Sequence, residues 1–348
     1  MSNSPVLSIC IPTYNRSSEL YKKITEILKY KSDDFDIIVL DNCSPDGTYE
    51  NLKRINDDRL KLYQNESNIG GILNPLKVLT YGDGLYSMMV LDKDKLDVNF
   101  LESFLLFLKT VNVSHGYCKL DLKGTANAES SFFKAGTESV VNTCFLSLHP
   151  TGMFWKTELY KASKELANIF ENPLTFGFYF ELINCELSIS SDLDSAIYNN
   201  PLVYMMGYTE ENKKKPTLTY NRKNCFALPK MRNREFKWYI NFAVSSGCNN
   251  LNDGYKIFGE CFCHCVGSIL SSSRLKKDPA FMLHYNLKKY DLNIFNSIFY
   301  VFVFVLWYFS SLNKEKFSFK MKTFGYVLKK IMYKLSYSIT SAADTIDE

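Results

Sequence analysis

Two carboxylates one residue apart, Asp92 and Asp94, close an apolar run in the stretch MVLDKDKLD from Met89 to Asp97. On an extended chain, alternation would aim both side chains the same way. Neighbouring acids repel unless a cation relieves them. Mg2+ or Mn2+ held by one or two carboxylates keeps positions open for phosphate oxygens. An ion placed so would stabilise a departing diphosphate. The two acids thus point to a metal site.

Other residues with chemical potential sit at similar places. Asp41 follows the apolar run DIIVL and can accept from a ribose hydroxyl or a base N–H. Asp46 belongs to the turn NCSPDGT, where it shapes a binding edge or simply makes the turn. Asn68 and Gly70 lie in a polar loop. His149, in HPTG, contacts a diphosphate or metal, or is a buried structural histidine. Glu181 is an acid inside the aromatic run FGFYFELI. Desolvation there would raise its pKa toward that of a useful base. Glu171 and Glu186 are its competitors.

The elements that must position these groups alternate strand and helix. Strands are expected at Leu7–Ile11, Asp36–Leu40, Leu60–Tyr63 and Tyr86–Leu91. Helices are expected from Ser17 or Ser18 to about Tyr30, from Tyr49 to Ile55, and from Asn74 to Tyr81. Continuous apolar strands separated by helices imply a parallel α/β sheet covered on both faces. Ligands bind outside the carboxyl ends of such strands. Pro12 to Asn15, Asp41 to Thr48 and Asp92 to Asp94 all lie at those ends and would converge on one crevice. The first strand ends in PTYNR, without the G-x-G-x-x-G that a dinucleotide fold uses to approach a pyrophosphate.

The chain has 348 residues, 46% hydrophobic, 22% charged and 15% aromatic, which is globular composition. A net charge of +4 gives no reason to expect nucleic acid as a partner. The ten cysteines follow no secretory signal, so free thiols in a reducing, cytoplasmic setting are expected. Cys261, His264 and Cys265 would share a helix face, but Phe258 and Phe262 beside them favour small buried residues over a metal knuckle.

A second region is expected at 229–348, after a first domain at 1–228. It is helical and aromatic. Ile298 to Phe309 is apolar apart from tyrosine, and with softer flanks from Ile294 to Leu312 it approaches the length of a membrane span. Beyond it come Lys314, Lys316, Lys320, Lys322, Lys329, Lys330 and Lys334, with Phe324, Val327, Leu328, Ile331 and Leu335 at helical spacing. That pattern fits a basic amphipathic segment lying on an anionic membrane, or a packed helix with a solvated lysine face.

Taken in order, LSICIPTYNR, DIIVLDNCSPDGT, NIGG…N and VLDKDK resemble the family 2 glycosyltransferases. The resemblance covers roughly the first hundred residues. It implies a GT-A fold, a mostly parallel sheet flanked by helices, here with a helical C-terminal extension. It further implies inverting transfer of a hexosyl or N-acetylhexosaminyl group from a nucleotide-sugar donor, UDP-linked by preference, to a glycan or lipid-linked hydroxyl. The setting would be surface polysaccharide, such as O-antigen or capsule, at the inner face of the cell membrane. By resemblance Pro12, Thr13 and Tyr14 line the nucleoside, Asp41 contacts base or ribose, Asn68 and Gly70 face the donor, and Asp92 and Asp94 form the D-x-D that holds Mn2+ or Mg2+. Lys95 stands where many relatives have another Asp, and no E-D motif follows. Two alternatives accompany this reading. A sugar-1-phosphate nucleotidyltransferase would want a Gly- and Arg-rich first loop, and an inactive membrane-docked binding protein would not turn over a donor.

Overall fold

The computed structural model describes residues 4–344 except 121, 123–127, 146–148, 172–178, 207–224, 226, 278, 285, 313 and 314. For residues 280, 281, 284 and 333–344 it describes the backbone alone. The chain forms two compact units, Met1–Asn212 and Lys213–Glu348, which part earlier than the composition change at Pro229.

The first unit is built on a mixed eight-stranded sheet in the order β3-β2-β1-β4-β8-β6-β9-β7. Strands β1 (Leu7–Thr13), β2 (Phe35–Asp41), β3 (Leu60–Gln64) and β4 (Tyr86–Met89) are mutually parallel. Helices α1 (Ser17–Ile27), α2 (Thr48–Leu52) and α3 (Gly70–Leu79) connect them. Every residue of β1 and β2 is buried, as continuous apolar strands covered on both faces require. Alternate residues feed different cores. Ile9, Ile11, Ile37 and Val39 join Leu20, Ile24 and Ile27 of α1, while Cys10, Ile38 and Leu40 join Leu76 and Leu79 of α3.

The topology fixes where a ligand can enter. From β1 the chain proceeds outward through β2 to β3, then returns to β4 on the other side of β1. The connections diverge at the carboxyl ends of β1, β2 and β4, which is the switch point where open α/β sheets leave a crevice. Beyond β4 the sheet turns mixed. β8 (Met153–Lys156) runs antiparallel to β4 and to β6 (His115–Cys118). β9 (Ser195–Tyr198) pairs with β6, and β7 (Ser131–Phe133) closes the edge. A two-residue strand β5 (Lys95–Leu96) pairs with β10 (Val203–Tyr204) in a separate ribbon. Helices α4 (Leu101–Thr110), α5 (Thr137–Thr143), α6 (Thr157–Lys161), α7 (Lys164–Glu171) and α8 (Tyr179–Ser190) complete the unit.

Two boundaries differ from the sequence expectation for tertiary reasons. The α3 helix begins at Gly70, in what reads as a loop, with Pro75 inside it. The N–H groups at its start find side-chain acceptors, one distant and one local. Ile69 N donates to Asn42 Oδ1 (2.9 Å) and Gly70 N to Asn68 Oδ1 (2.9 Å). Strand β4 stops at Met89, and Leu91 N leaves the ladder to donate to Thr151 Oγ1 (3.0 Å).

The second unit is helical. Tyr255–Ser271 packs against Pro229–Ser245, Ile294–Ser311 and Phe317–Asp344. Cys261 and Cys265 are buried in it, and burial pushes both thiols up. His264 lies 3.8 Å from Glu260. All ten cysteines are free. Lys314 lies outside the described residues, as do the side chains of Lys334 and Leu335.

Candidate active site

At the end of β1, Thr13 is buried and its carbonyl accepts from Asn42 N (2.9 Å), tying the first two strand ends together. Pro12 and Thr13 lie in register with Leu40 and Asp41 of β2. Tyr14 is half-buried just beyond the strand, followed by Asn15 at φ 57°. This left-handed residue, where Asn is better tolerated than most, reverses the chain into α1.

Asp41 is fully buried. Oδ2 accepts from Ser44 N (3.0 Å) and Gln64 Nε2 (2.9 Å), and Oδ1 from Ser44 Oγ. Asp46 is used in the same loop. Oδ1 accepts from Thr48 N (3.1 Å) and Thr48 Oγ1 (2.5 Å), and Oδ2 from Ser17 N (3.2 Å). It therefore fastens the turn after β2 to the start of α1. Asn68 accepts from Asn42 Nδ2 (2.8 Å) besides Gly70 N, so Asn68 and Gly70 belong to an amide network. Asn65 extends that network to Asn74 (2.8 Å), and Asn74 reaches the Leu40 carbonyl (3.2 Å). Asn42, Asn65 and Gln64 were not singled out from sequence. The run of asparagines from Asn65 to Asn74 was the available signal.

The D-x-D does not behave as an extended pair. Asp94 N donates to Leu91 O (3.0 Å), so the segment is a tight turn and the two carboxylates find separate partners. This corrects the alternation expected of an extended chain. Asp92 accepts from Thr13 Oγ1 (3.1 Å) and the Tyr14 N–H, with Arg16 Nε at 3.9 Å. Burial pushes its carboxyl up, against the opposing pull of Arg16, Lys23 and these donors. Lys23 on α1 donates to the Leu91 carbonyl (3.1 Å) and to that of Asp92, clamping the turn. Burial lowers the Lys23 ammonium to about 8.

Asp94 is fully buried and heavily bonded. Oδ2 accepts from Thr151 Oγ1 and meets His149 Nε2 at 2.5 Å, while Oδ1 accepts from Met206 N (3.1 Å). Burial pushes this carboxyl up, but the bonds from His149, Thr151 and Met206 outweigh it and hold Asp94 below the usual carboxylate range. The HPTG turn makes this possible. Gly152 sits at φ +88°, and a Cβ there would meet the Val203 side chain at 2.8 Å. Glycine therefore lets His149 and Thr151 swing onto Asp94 while Gly152 N rejoins Met89 O (2.8 Å). Thr151, Lys23 and the Met206 N–H were missed from sequence. Arg16, just before α1, turns inward toward Asp92.

Among the described residues no cluster of three or more His, Cys, Asp or Glu side chains could form a metal cage. The donor set at Asp94 nevertheless suits a hard divalent ion. A carboxylate oxygen is the donor such ions prefer, and they complete their shell with substrate phosphates and water. Asp94 would hold the ion with His149 bonded behind its carboxylate, whereas Asp92 is turned toward Thr13 and Arg16.

The three candidate bases are also separated by the structure. Glu186 is consumed as a cap, accepting from Ser163 Oγ (2.5 Å), Lys164 N (2.9 Å) and Glu165 N (3.0 Å) at the start of α7. Glu171 is exposed at the end of α7. Glu181 is buried in the first turn of α8. That helix is fastened to β8 by Trp155 Nε1 donating to Asn184 Oδ1 (2.6 Å), with the Phe180 ring tilted against Trp155. Strand β8 follows directly from the segment that carries His149 and Thr151. Most of the aromatic run before Glu181 lies at 172–178, outside the described residues.

The opposite shifts of Asp92 and Asp94 have a consequence for stability. A raised carboxylate pKa means that the fold disfavours the charge, whereas a lowered one means that it favours the charge. The Asp94 contribution is present above the unfolded-state pKa and is lost as pH falls through the lower folded value. At neutral pH, Asp94→Asn should lower the melting temperature. Asp92→Asn should leave it unchanged or raise it, because the amide oxygen still accepts from Thr13 and Tyr14. Thermal melts of the two variants side by side provide the check, and equal losses would contradict these assignments.

Residues 8–111 match the family model described as Glycosyl transferase family 2. Among curated relatives, a putative colanic acid biosynthesis glycosyl transferase, WcaA of Escherichia coli, is 27% identical over 201 residues, which is 56% of this chain and 66% of the relative. A putative teichuronic acid biosynthesis glycosyltransferase, TuaG of Bacillus subtilis, is 27% identical over 106 residues, 30% of this chain and 42% of the relative. The chain thus matches only part of the length of each. Among solved structures, S. aureus TarS in complex with UDP aligns with TM-score 0.44 at 17% identity, covering 86% of this chain and 91% of that one. A mannosyltransferase from Pyrobaculum calidifontis, in complex with GDP-Man and Mn2+, aligns with TM-score 0.48 at 13% identity, covering 90% and 89%.

Proposed function

We propose that this protein is an inverting glycosyltransferase that moves a hexosyl or N-acetylhexosaminyl group from a nucleotide-diphosphate sugar to a hydroxyl of a glycan or lipid-linked acceptor. The process is assembly of a surface polysaccharide of the O-antigen or capsule kind. The observation that carries the reading is the gathering of Thr13, Asp41, Asp92 and Asp94 at the carboxyl ends of β1, β2 and β4, with His149 bonded to Asp94. Nucleoside recognition falls to the Pro12–Tyr14 and Asp41 side of the crevice, and Asp46, Asn68 and Gly70 hold its loops. A bound Mn2+ or Mg2+ would supply positive charge to the departing diphosphate. Glu181 takes the proton of the attacking hydroxyl. The names of the two curated relatives support a polysaccharide role, and UDP is the first nucleotide to test.

The protein is proposed to work at the cytoplasmic face of the membrane. Free thiols suit that compartment. The helix Ile294–Ser311, 18 residues with mean hydropathy 1.7, is long and apolar enough to cross a membrane, yet it packs on its neighbours along one side through Ser297, Phe304 and Tyr308. Its outward face is apolar, which fits lying in the interface.

A thermal-shift panel of nucleotide sugars, with and without Mn2+, tests the reading. One donor should stabilise the protein strongly with metal and weakly without it. The shift follows RT ln(1 + [L]/Kd), about 2.7 kcal/mol at a hundredfold excess over Kd. Stabilisation by none of the donors would count against the proposal.

A further inference from the structure

The helix Phe317–Asp344 carries two kinds of surface that the sugar-transfer chemistry does not use. Phe317, Met321, Phe324, Leu328, Ile331 and Met332 are exposed, and at 3.6 residues per turn they fall within an arc of about 100°. Buried Thr323 and Val327 flank one margin of this arc, toward the Tyr255–Ser271 helix. The neighbouring helix Ile294–Ser311 also exposes a single apolar strip, from Phe295 through Phe302 to Phe309. An apolar groove of about 240 Å³, lined by Phe309, Phe324, Leu328 and Ile331 among others, joins the two strips. Monomeric proteins rarely show so large a continuous apolar face unless something covers it.

Along one edge of the Phe317–Asp344 strip lies a cleft of about 580 Å³. It is lined by Tyr255, Lys256, Lys322, Gly325, Tyr326, Lys329 and Lys330. Its charges are ordered. Lys330 is paired with Glu260, which also accepts from Tyr326 Oη (2.5 Å), and Lys256 is paired with Asp253 at 3.0 Å. Lys322 and Lys329 have no carboxylate partner among the described residues, and Lys322 stands 5.9 Å over the Tyr255 ring. Four ammonium groups against two carboxylates leave the cleft net positive. Its tyrosine walls meet edge to face, with centroids 6.2 Å apart.

We propose that this lysine–tyrosine cleft binds the phosphate of an anionic lipid headgroup, while the adjoining apolar strips enter the membrane interface. Charge complementarity selects an anion, and the continuity of the cleft's edge with the apolar strip places that anion at a membrane surface. This deepens the peripheral-membrane reading by naming a headgroup site, and it rests on that reading.

Vesicle flotation of the full chain tests it. Three vesicles are compared: neutral phosphatidylcholine alone, phosphatidylcholine with phosphatidylglycerol, and phosphatidylcholine with a carboxylate lipid at equal surface charge. Wild type should float best with the phosphatidylglycerol vesicles, whose phosphate charge is not neutralised by a choline as in phosphatidylcholine. Lys322→Ala/Lys329→Ala should lose about ten- to thirtyfold in partitioning, because each lysine near the surface contributes about one decade or slightly less. It should also lose the preference for phosphate over carboxylate. Lys322→Arg/Lys329→Arg should retain both, and Lys276→Ala/Lys277→Ala, a pair outside the cleft, should bind as wild type. If the two alanine pairs lose equally, the attraction is diffuse charge, and the headgroup site is overturned while the membrane reading stands. If wild type floats with no vesicle, both fall together.

Discussion

Glu181→Gln is expected to bind donor as wild type does and to lose sugar transfer by about 10²–10⁴-fold, the contribution of a positioned general base. The amide keeps the shape of the carboxylate but cannot take the acceptor's proton. Glu181 is the buried acid of the three candidates, on a helix fastened to β8 through Trp155 and Asn184. Glu186→Gln should act differently. Its carboxylate holds the first N–H groups of α7, so the loss should appear as a lower melting temperature. Glu171→Gln, on an exposed side chain, should change neither. Donor affinity by calorimetry and single-turnover transfer separate the cases. Wild-type transfer rates in Glu181→Gln, together with loss in Glu171→Gln, would move the base to Glu171.

The second large effect is expected at Asp94. Asp94→Asn removes the anionic donor from the site that His149, Thr151 and Met206 N–H surround. Metal-dependent donor affinity should fall by at least the roughly 10–100-fold that loss of a partner behind a metal ligand costs. Binding of the free nucleoside should change little, since that end of the donor is assigned to the Pro12–Tyr14 and Asp41 side. His149→Ala should reproduce part of the loss. Asp92→Asn should weaken the metal-dependent step less, because its carboxylate faces Thr13 and Arg16. Calorimetry with nucleotide and nucleotide sugar, each with and without Mn2+, measures all of these. Unchanged metal-dependent affinity in Asp94→Asn would remove Asp94 from the role.

The amino-acid sequence alone determined the parallel half of the sheet, because two-sided burial demands continuous apolar strands and the intervening helices show their own period. It also determined that the polar turns after β1, β2 and β4 lie together, since parallel connections put all strand carboxyl ends on one side. Asp41, Asp92 and Asp94 could be found that way. What surrounds each carboxylate was decided only in three dimensions. The contacts of Asp94 come from Thr151 and Met206, which lie 57 and 112 residues away, and no local pattern encodes such pairings. The same holds for Lys23 beneath the turn, 68 residues from Leu91, and for the Asn42–Asn68 bond that starts α3 early. Glu186 competed with Glu181 as an acid five residues further along the same stretch. Only packing reveals that one caps a neighbouring helix and the other is buried in the first turn of α8. Periodicity fixes which face of an element is buried, whereas the partner of a buried charge depends on which distant element supplies a donor.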